Sequence, residues 1–188
     1  MSITLETPRL ILREMTEADV PAVHTWAGKL ENVTYMYFGG PNTLEQTQWF
    51  VSNCINAAKA EPRTNFDFLI QLKSTGQVIG SGGIYRKMDH HNRRFICAEI
   101  GWILHMDHWK QGYGSEFCAE LLRFGFDELE LNRIYANCDA ENVGSVRVME
   151  RNGMRREAVF QQAILGRDNT WHDEHVYAIL RKEWKELA

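Results

Sequence analysis

One stretch of this chain limits its fold more than any other: an apolar run that passes through a glycine-containing turn into an amphipathic helix. The run is Ile96–Leu104, the turn is His108–Glu116, and the helical pattern covers Phe117–Leu129. The first backbone N–H groups of a helix have no partner within it, and the macrodipole leaves that end partly positive. Glycines in such a turn let a phosphate approach the backbone. The same spacing also occurs in ordinary turns, so both interpretations stay open.

Two familiar phosphate-binding loops do not fit this turn. Gly112 and Gly114 are not followed by a third glycine at the spacing of a dinucleotide-binding loop, because Phe117 occupies that position. The Gly-Lys-Ser/Thr sequence that ends a P-loop is also missing from the chain. If the turn binds phosphate, it therefore belongs to another kind of site.

Length, charge and composition favour a globular protein. The chain has 188 residues, 44% of them hydrophobic, and we expect a single domain over residues 1–188. A net charge of −4 and scattered basic residues argue against general nucleic-acid binding. The N-terminal segment lacks the apolar region of a signal peptide, and no apolar run reaches the length of a membrane span. We therefore expect a cytoplasmic protein with no direct nucleic-acid or membrane partner.

The cysteines and histidines show no pattern typical of a disulfide framework or a metal site. No C-x-x-C pair is present, so the cysteines are expected to be reduced and mostly buried thiols. The histidines form no helical H-x-x-x-H pair with acidic neighbours, and no metal ligand is predicted. The cysteines are Cys54, Cys97, Cys118 and Cys138.

Hydrophobic periodicity predicts an α/β (α+β) fold with a mixed, mostly antiparallel twisted sheet of about seven strands and helices on both faces. The expected strands are Leu5–Glu14, Phe66–Leu72, Val78–Tyr85, Phe95–Leu104, Arg133–Cys138, Arg155–Leu165 and His172–Leu180. The expected helices are Thr16–Gly28, Thr43–Ala60, Ser115–Leu129 and Val143–Arg151. The expected buried stripe of the second helix is Leu44, Val51, Ile55 and Ala58.

Several motifs follow one another along these elements, and together they resemble a known family. They are Thr7–Arg13, Glu99–Trp102, Trp109–Glu116, Asn142–Met154, Asp173–Tyr177 and Glu183-Trp184. In this order they resemble the GNAT acyltransferase superfamily, and more narrowly its RimJ/RimL-type branch, the ribosomal-protein N-terminal acetyltransferases and their relatives. Each motif is weak alone, but their order on the expected elements is specific.

The resemblance implies acetyl-coenzyme A as the donor and an amine as the acceptor. By position, backbone N–H groups would wrap the pyrophosphate at Lys110, Gln111, Gly112, Tyr113, Gly114 and Ser115. The main chain of Trp102, Ile103 and Leu104 would pair with the pantetheine arm, and one of its N–H groups would stabilise the oxyanion. Such pairing requires that the two central strands splay apart. Asn142 would bind the arm, cap the fourth helix, or do both.

Acetyl transfer to an amine needs a group that takes the amine proton and is helped by an acid at the departing sulfur. Many relatives carry a tyrosine seven residues after the asparagine, and some carry a glutamate five residues before it; here these positions are Met149 and Asn137. The remaining candidates are Glu99, as base or water-holder, and Ser145, as donor to sulfur. Glu99 can instead pair with an arginine or end the strand in solvent, and Ser145 can equally be a small residue packed against the sheet. Tyr135 is a further candidate hydroxyl or a core aromatic residue.

The predicted function is N-acetyl transfer from acetyl-coenzyme A by direct reaction in a ternary complex. The acceptor is either a protein N-terminus, such as that of a ribosomal protein, or a small amine, and both a monomer and a homodimer remain open. The loop with Tyr35, Met36, Tyr37 and Phe38 is expected to flank the acceptor cleft or to pack over the sheet edge. A non-catalytic module that binds acyl-coenzyme A, and a nucleotide-binding regulator, are the alternatives.

Overall fold

The computed structural model describes residues 2–36, 41–89, 91, 94–166 and 169–187. The strands are β1 (Thr4–Glu6), β2 (Leu10–Arg13), β3 (Asn65–Leu72), β4 (Val78–Met88), β5 (Phe95–Leu104), β6 (Arg133–Asp139), β7 (Arg155–Leu165) and β8 (Trp171–Leu180). The helices are α1 (Val20–Ala27), α2 (Leu30–Val33), α3 (Leu44–Ala58), α4 (Tyr113–Arg123), α5 (Val143–Arg151) and α6 (Arg181–Leu187). The strands form one sheet in the order β1-β2-β3-β4-β5-β6-β8-β7. Neighbours are antiparallel except β5 and β6, which confirms the predicted mixed, mostly antiparallel sheet.

The prediction of a single first strand over Leu5–Glu14 is wrong, because the chain reverses within that segment. β1 and β2 form an antiparallel hairpin. At the reversal, Pro8 has no N–H to contribute to a ladder, and the Thr7 N–H donates to the Leu10 carbonyl at 3.0 Å. The sheet therefore has eight strands instead of about seven.

Other helical boundaries also differ from the prediction. α1 is preceded by a short 3-10 turn at Glu17–Asp19, and α2 begins just before the predicted aromatic loop. The third predicted helix begins two residues early, at Tyr113, and ends in a wider turn over Phe124–Glu128. α6 follows the last strand, where the sequence predicted no element. Within the described ranges, no helix is both long and apolar enough to cross a membrane.

The buried stripe of α3 differs from the predicted one. Leu44 is 51% exposed, whereas Thr47, Val51 and Cys54 are buried at the spacing of one helix face. Thr47 can be buried because its hydroxyl donates to the carbonyl of Thr43 at 3.1 Å. Apolar periodicity alone predicts that Leu44 is buried, but the hydrogen-bonded Thr47 is buried in the first turns of α3 instead.

Helices pack on both faces of the sheet, as predicted. On one face, Phe68 and Ile84 pack with Phe117 of α4 in the larger apolar core, which also includes residues of α5. On the other face, Leu69 and Ile103 pack in a smaller cluster with α1, α2 and α3. The second face has fewer buried apolar residues, which leaves room on it for cavities and polar groups.

β5 and β6 separate in the middle of the sheet. Their parallel pairing joins Cys97–Glu99 to Arg133–Tyr135. On its other side β5 stays paired with β4 as far as Leu104, and β6 stays paired with β8 as far as Asp139. One edge of residues 100–104 therefore faces a gap, which confirms the predicted splay of the central strands.

Candidate active site

Two cavities meet at the gap between β5 and β6. The larger has a volume of about 470 Å³ and the smaller about 240 Å³. Six residues line both cavities, and we call the region that they enclose the waist: Tyr35, Met36, Trp102, Ile103, Asn142 and Ser145. Because they share these walls, the two cavities form one continuous cleft.

The larger cavity runs along the open edge of β5. Trp102, Ile103 and Leu104 line it, and β6 has diverged from the main-chain groups on that side. At the end of the edge, the Leu104 carbonyl accepts a hydrogen bond from the indole Nε1 of Trp109 at 2.8 Å. The His105 N–H donates to Ile79 of the chain beside β5, so the main-chain groups of Ile103 face β4 and those of Trp102 and Leu104 face the gap. An extended ligand can therefore pair with β5 at Trp102, whereas the Leu104 carbonyl already has a partner.

The turn before α4 presents a helix start to the same cavity. Its lining residues are Lys110, Gly112, Tyr113, Gly114 and Ser115. Lys110 has a φ of 60° and Gly112 a φ of 84°, a left-handed value that glycine adopts without a Cβ penalty. The Glu116 N–H donates to the Gly112 carbonyl at 3.1 Å, so the N–H groups at 113–115 have no partner within the helix. These groups are available to an anion in the cavity.

Arg9 contacts this turn without lining either cavity. Its Nη1 donates to the Gln111 carbonyl at 3.0 Å, and its Nε lies 2.5 Å from Oε2 of Glu116. The Thr7 hydroxyl donates to Oε1 of Glu116 at 2.6 Å. Burial would raise the pKa of Glu116, but the hydrogen bonds from Thr7 and Arg9 outweigh it and lower that pKa. Gln111, predicted among the cofactor-binding residues, lies outside the lining of both cavities and belongs to this supporting layer.

Asn142 begins α5 and contributes to both cavities. Its Oδ1 accepts from the Ser145 N–H at 3.1 Å, so its role as a helix cap is confirmed. The cap leaves its side-chain NH₂ group to donate to another acceptor. Ser145 lies one turn further at the waist, and the buried Met149 lines the smaller cavity after one more turn.

The smaller cavity has apolar walls and a polar floor. Trp26, Met36 and Phe50 contribute to the walls. Tyr85 and Glu99 also line the cavity and lie directly opposite each other on β4 and β5. We call these two residues the floor. Cross-strand partners of this kind place their side chains side by side on the same face of the sheet.

Glu99 has two polar neighbours on the sheet. Its Oε2 lies 3.2 Å from Nζ of Lys87 and accepts from the Tyr135 hydroxyl at 3.4 Å. Burial, followed by the nearby charge of Glu99, raises the pKa of Tyr135 to about 12. The structure therefore places Glu99 in an ion pair and in the cavity lining at once. Asn137, further along β6, also lines this cavity, and its amide donates to Oε1 of Glu174 at 2.6 Å.

The two cavities differ in their charged residues. Lys110, Arg147 and Arg151 line the larger cavity, with Glu141 as its acidic residue. The smaller cavity has Glu99 in its lining. A basic cavity beside a helix start attracts phosphate groups, and a cavity with a carboxylate attracts a cation or a hydrogen-bond donor.

Three of the cysteines are poor candidates for a nucleophile. Cys54, Cys118 and Cys138 are buried. Burial, followed by nearby carboxylates, raises the pKa of the Cys138 thiol to about 12, so this thiol is protonated at neutral pH. Among the residues that the structure describes, no group of three or more His, Cys, Asp and Glu side chains is placed to hold a metal ion.

Comparison with known proteins decides the family. Residues 9–155 match the model of the acetyltransferase (GNAT) domain. The uncharacterized N-acetyltransferase YnaD of Bacillus subtilis (strain 168) is 35% identical over 180 residues, which cover 96% of this chain and 98% of that protein. The chain belongs to the GNAT acetyltransferase family. It is therefore an N-acetyltransferase, as predicted, in a family that uses acetyl-coenzyme A.

Solved structures of GNAT proteins share this fold. A GNAT-family acetyltransferase from Bacillus anthracis has a TM-score of 0.80 and 33% identity, with 96% of this chain and 99% of that chain covered. RimL, a ribosomal L7/L12 alpha-N-protein acetyltransferase solved in complex with coenzyme A, has a TM-score of 0.78 at 21% identity, with 95% and 98% covered. At that identity the likeness to RimL concerns the fold alone.

Several residues of this GNAT cleft were missed from the sequence. Arg9 lies in the first motif that carries the family resemblance, but its contact with Glu116 spans 107 residues and has no local signal. Tyr85 ends a predicted strand, and only its register with Glu99 reveals that it faces the cavity. Of the aromatic loop, Tyr35 and Met36 line both cavities, while positions 37 and 38 lie outside the described residues.

Proposed function

We propose that the larger cavity binds acetyl-coenzyme A, that the smaller cavity binds a primary amine, and that the acetyl group passes directly between them at the waist. One observation carries this proposal: a cavity lined by basic residues and a helix start meets a cavity lined by a carboxylate at the open edge of β5. A thioester in one cavity and an amine in the other would meet without a covalent enzyme intermediate.

The larger cavity fits the donor in three respects. The N–H groups of the 110–115 turn would hold the pyrophosphate, with Arg147 and Arg151 supplying positive charge nearby. The open main-chain groups of Trp102 would pair with an amide of the pantetheine arm. The side-chain NH₂ group of Asn142 would donate to a carbonyl of the same arm, because its Oδ1 is already engaged with the helix.

The residues around the waist supply the acid–base chemistry that the transfer needs. Bound acetyl-coenzyme A supplies a thioester. A free amine is mostly protonated at neutral pH, and Glu99 accepts its proton directly or through one water. A main-chain N–H of β5 at Trp102–Leu104 stabilises the oxyanion, and the Ser145 hydroxyl donates toward the departing sulfur.

The acceptor is proposed at the level of its reactive group. A cavity of about 240 Å³ admits a small amine or the first residue of a peptide. RimL is named for action on the N-terminus of a ribosomal protein, and this activity supports the peptide acceptor only by shared fold. A primary amine is common to both acceptor types and is the chemistry that the polar floor accommodates.

The experiment is a thiol-release assay on the purified protein with acetyl-coenzyme A. The acceptor panel holds small primary amines and short peptides with free N-termini, and mass spectrometry identifies the acetylated product. We expect thiol release that depends on the amine. Binding of coenzyme A without amine-dependent release across the panel would contradict the proposal and favour a binding module.

A paired substitution tests the donor site separately. Ser115→Glu places a negative charge in the first turn of α4, where the helix start tolerates acidic residues but the pyrophosphate would be repelled. Ala119→Glu makes the same charge change one turn later, at an exposed position of the same helix. We expect loss of coenzyme A binding for Ser115→Glu and retention for Ala119→Glu, measured by calorimetry. Equal affinities in the two variants would refute the donor site.

A further inference from the structure

A partly buried tyrosine–aspartate pair reaches the acceptor cavity through Tyr85, and neither the Tyr85 hydroxyl nor Asp67 has a role in the acid–base chemistry described so far. The Tyr85 hydroxyl donates to Oδ1 of Asp67 at 2.9 Å. Asp67 lies on β3, opposite Gly83, and Tyr85 lies two residues further along β4. The pair is therefore on the sheet face that also carries Glu99.

The tyrosine side chain leans along β4 toward Gly83. A Cβ atom added to Gly83 would lie 3.0 Å from the Tyr85 hydroxyl oxygen, so that oxygen lies above Gly83. The partner of Gly83 on β5 is Gly101, which lines the cavity. A Cβ added to Gly101 would meet no atom within 4 Å. The Tyr85 oxygen thus lies over Gly83, and neither Gly83 nor its partner Gly101 has a side chain that would separate this oxygen from the cavity.

The contact with Asp67 determines what the Tyr85 oxygen can bind. Burial, together with the nearby Asp67 carboxylate, raises the pKa of Tyr85 well above its usual value, so the phenol keeps its single proton. That proton is donated to Asp67. Only lone pairs remain for a ligand, so the oxygen can accept a hydrogen bond but cannot donate one.

A neutral primary amine matches a floor with two acceptors. It has two N–H donors and one lone pair. If Tyr85 and Glu99 each accept one N–H, the lone pair is left to point toward the waist. Once the ammonium proton has passed through Glu99 to solvent, the nitrogen lone pair forms the new N–C bond, the C–S electrons leave with the sulfur as a thiolate, and one N–H proton passes to Glu99.

We infer that Tyr85, held by Asp67, is a further specificity-determining residue, and that with Glu99 it selects primary amines over secondary amines. This inference rests on the proposed function of the smaller cavity. A secondary amine has one N–H and cannot satisfy both acceptors while its lone pair faces the thioester.

The test compares matched amines in the wild-type protein and two variants. The probes are benzylamine with N-methylbenzylamine, and tri-alanine with its N-methylated counterpart. We expect the wild type to favour each primary amine by at least about ten-fold in kcat/KM, a factor that corresponds to one lost hydrogen bond. Tyr85→Phe should lose most of this preference, through a higher KM for the primary amine, while its affinity for coenzyme A stays unchanged.

The control is Tyr177→Phe. The Tyr177 hydroxyl also donates to a carboxylate, Oε1 of Glu150 at 3.1 Å, but it lies outside the lining of both cavities. This variant should keep the wild-type preference, which separates selection in the cleft from general loss of a tyrosine hydrogen bond.

Each outcome has one meaning. Equal wild-type kcat/KM values for primary and N-methyl amines would overturn the inference. This comparison needs no variant, so it remains decisive even if the Tyr85→Phe protein does not fold. An unchanged preference in Tyr85→Phe would overturn it too, while amine-dependent thiol release would still support the proposed function. No thiol release from the wild type with any amine would overturn the proposed function and, with it, this inference.

Discussion

Arg9 and Glu116 join the first hairpin of the sheet to the first turn of α4, with Nε of Arg9 2.5 Å from Oε2 of Glu116. The Arg9 guanidinium also lies 4.5 Å from the centre of the Tyr113 ring, and the Arg9 backbone N–H donates to Oε1 of Glu116 at 2.8 Å. Tyr113 and Glu116 flank the N–H groups that face the larger cavity. Arg9 therefore positions the turn that we propose binds the donor, although Arg9 itself does not line the cavity.

Arg9→Ala is expected to weaken coenzyme A binding by about ten-fold, or about 1.4 kcal/mol. Without the Arg9 side chain, the turn loses the hydrogen bonds that Arg9 makes to Gln111 and Glu116. Binding of coenzyme A must then also order the turn, which costs affinity. Lys73→Ala is the control, because Lys73 forms a comparable ion pair with Glu6 at 2.8 Å, away from the turn. Calorimetric titration measures the affinity of both variants for coenzyme A. Equal affinities would contradict the positioning role of Arg9.

The sequence predicted those parts of the site that lie on one continuous segment. The strand, turn and helix from Phe95 to Arg123 carry their own periodicity and glycine signals, and the structure places them as expected. The cap at Asn142 was predictable for the same reason, since its partner, the Ser145 N–H, is three residues away.

The remaining parts depend on contacts that no local pattern contains. To predict the β1–β2 hairpin, one would have to know that the chain turns at Thr7 and Pro8, within a segment whose apolar alternation continues on both sides. Tyr85 meets Asp67 across 18 residues, and its direction depends on glycines in two neighbouring strands. Such groupings arise from strand register, which is set by the assembled sheet and not by any one strand.

Gly112→Ala is expected to lower both stability and coenzyme A affinity. Gly112 has a φ of 84°, which costs an alanine about 1 kcal/mol, and the strained turn lies against the larger cavity. Gly76→Ala provides the control, because Gly76 has a φ of 72° in a hairpin turn that lines neither cavity. Both variants should lose similar stability in urea titrations, but only Gly112→Ala should lose affinity. If Gly76→Ala lost as much affinity for coenzyme A, the loss in Gly112→Ala would be due to general instability and not to the turn.

Gly101→Val is expected to block the acceptor cavity without disturbing the fold. An added Cβ at Gly101 meets no atom within 4 Å, so valine would extend into the smaller cavity and raise the KM of benzylamine. We expect stability to change by no more than about 0.5 kcal/mol. Gly82→Ala is the contrasting variant, because its Cβ would lie 2.4 Å from the Gly101 carbonyl and 2.6 Å from the Phe117 ring.

The contrasting variant should therefore lose stability by about 1–3 kcal/mol through overpacking. Thermal unfolding and steady-state kinetics of the two variants separate these effects. If Gly101→Val kept the wild-type KM, the smaller cavity would not be the acceptor site.

Asp19→Asn is expected to remove a pH-dependent part of the stability. Arg13 Nη2 lies 2.6 Å from Oδ1 of Asp19, and the Thr16 N–H and hydroxyl both donate to Oδ2 at 2.8 Å. Burial opposes ionisation of Asp19, but these hydrogen bonds outweigh it and lower its pKa. The contribution is therefore present above the ordinary aspartate pKa of about 3.9 and is lost as the pH falls through the lower, folded-state value.

At about pH 7 the wild type should exceed the variant by about 1–3 kcal/mol in urea unfolding, and the difference should shrink progressively as the pH falls below about 3.9. A difference that stayed constant across this range would show that the carboxylate charge contributes nothing beyond packing.

Ser145→Ala is expected to lower kcat by about ten-fold or more while leaving coenzyme A affinity intact. The side chain lies at the waist, whereas the helix cap uses the Ser145 backbone N–H, which alanine retains. Ser52→Ala is the matched control, since the Ser52 hydroxyl donates to Glu17 at 3.1 Å, away from both cavities. Steady-state kinetics and calorimetry decide the role. An unchanged kcat would mean that Ser145 is a small packing residue, and a loss of affinity with kcat retained would mean that it binds the donor without assisting the departure of sulfur.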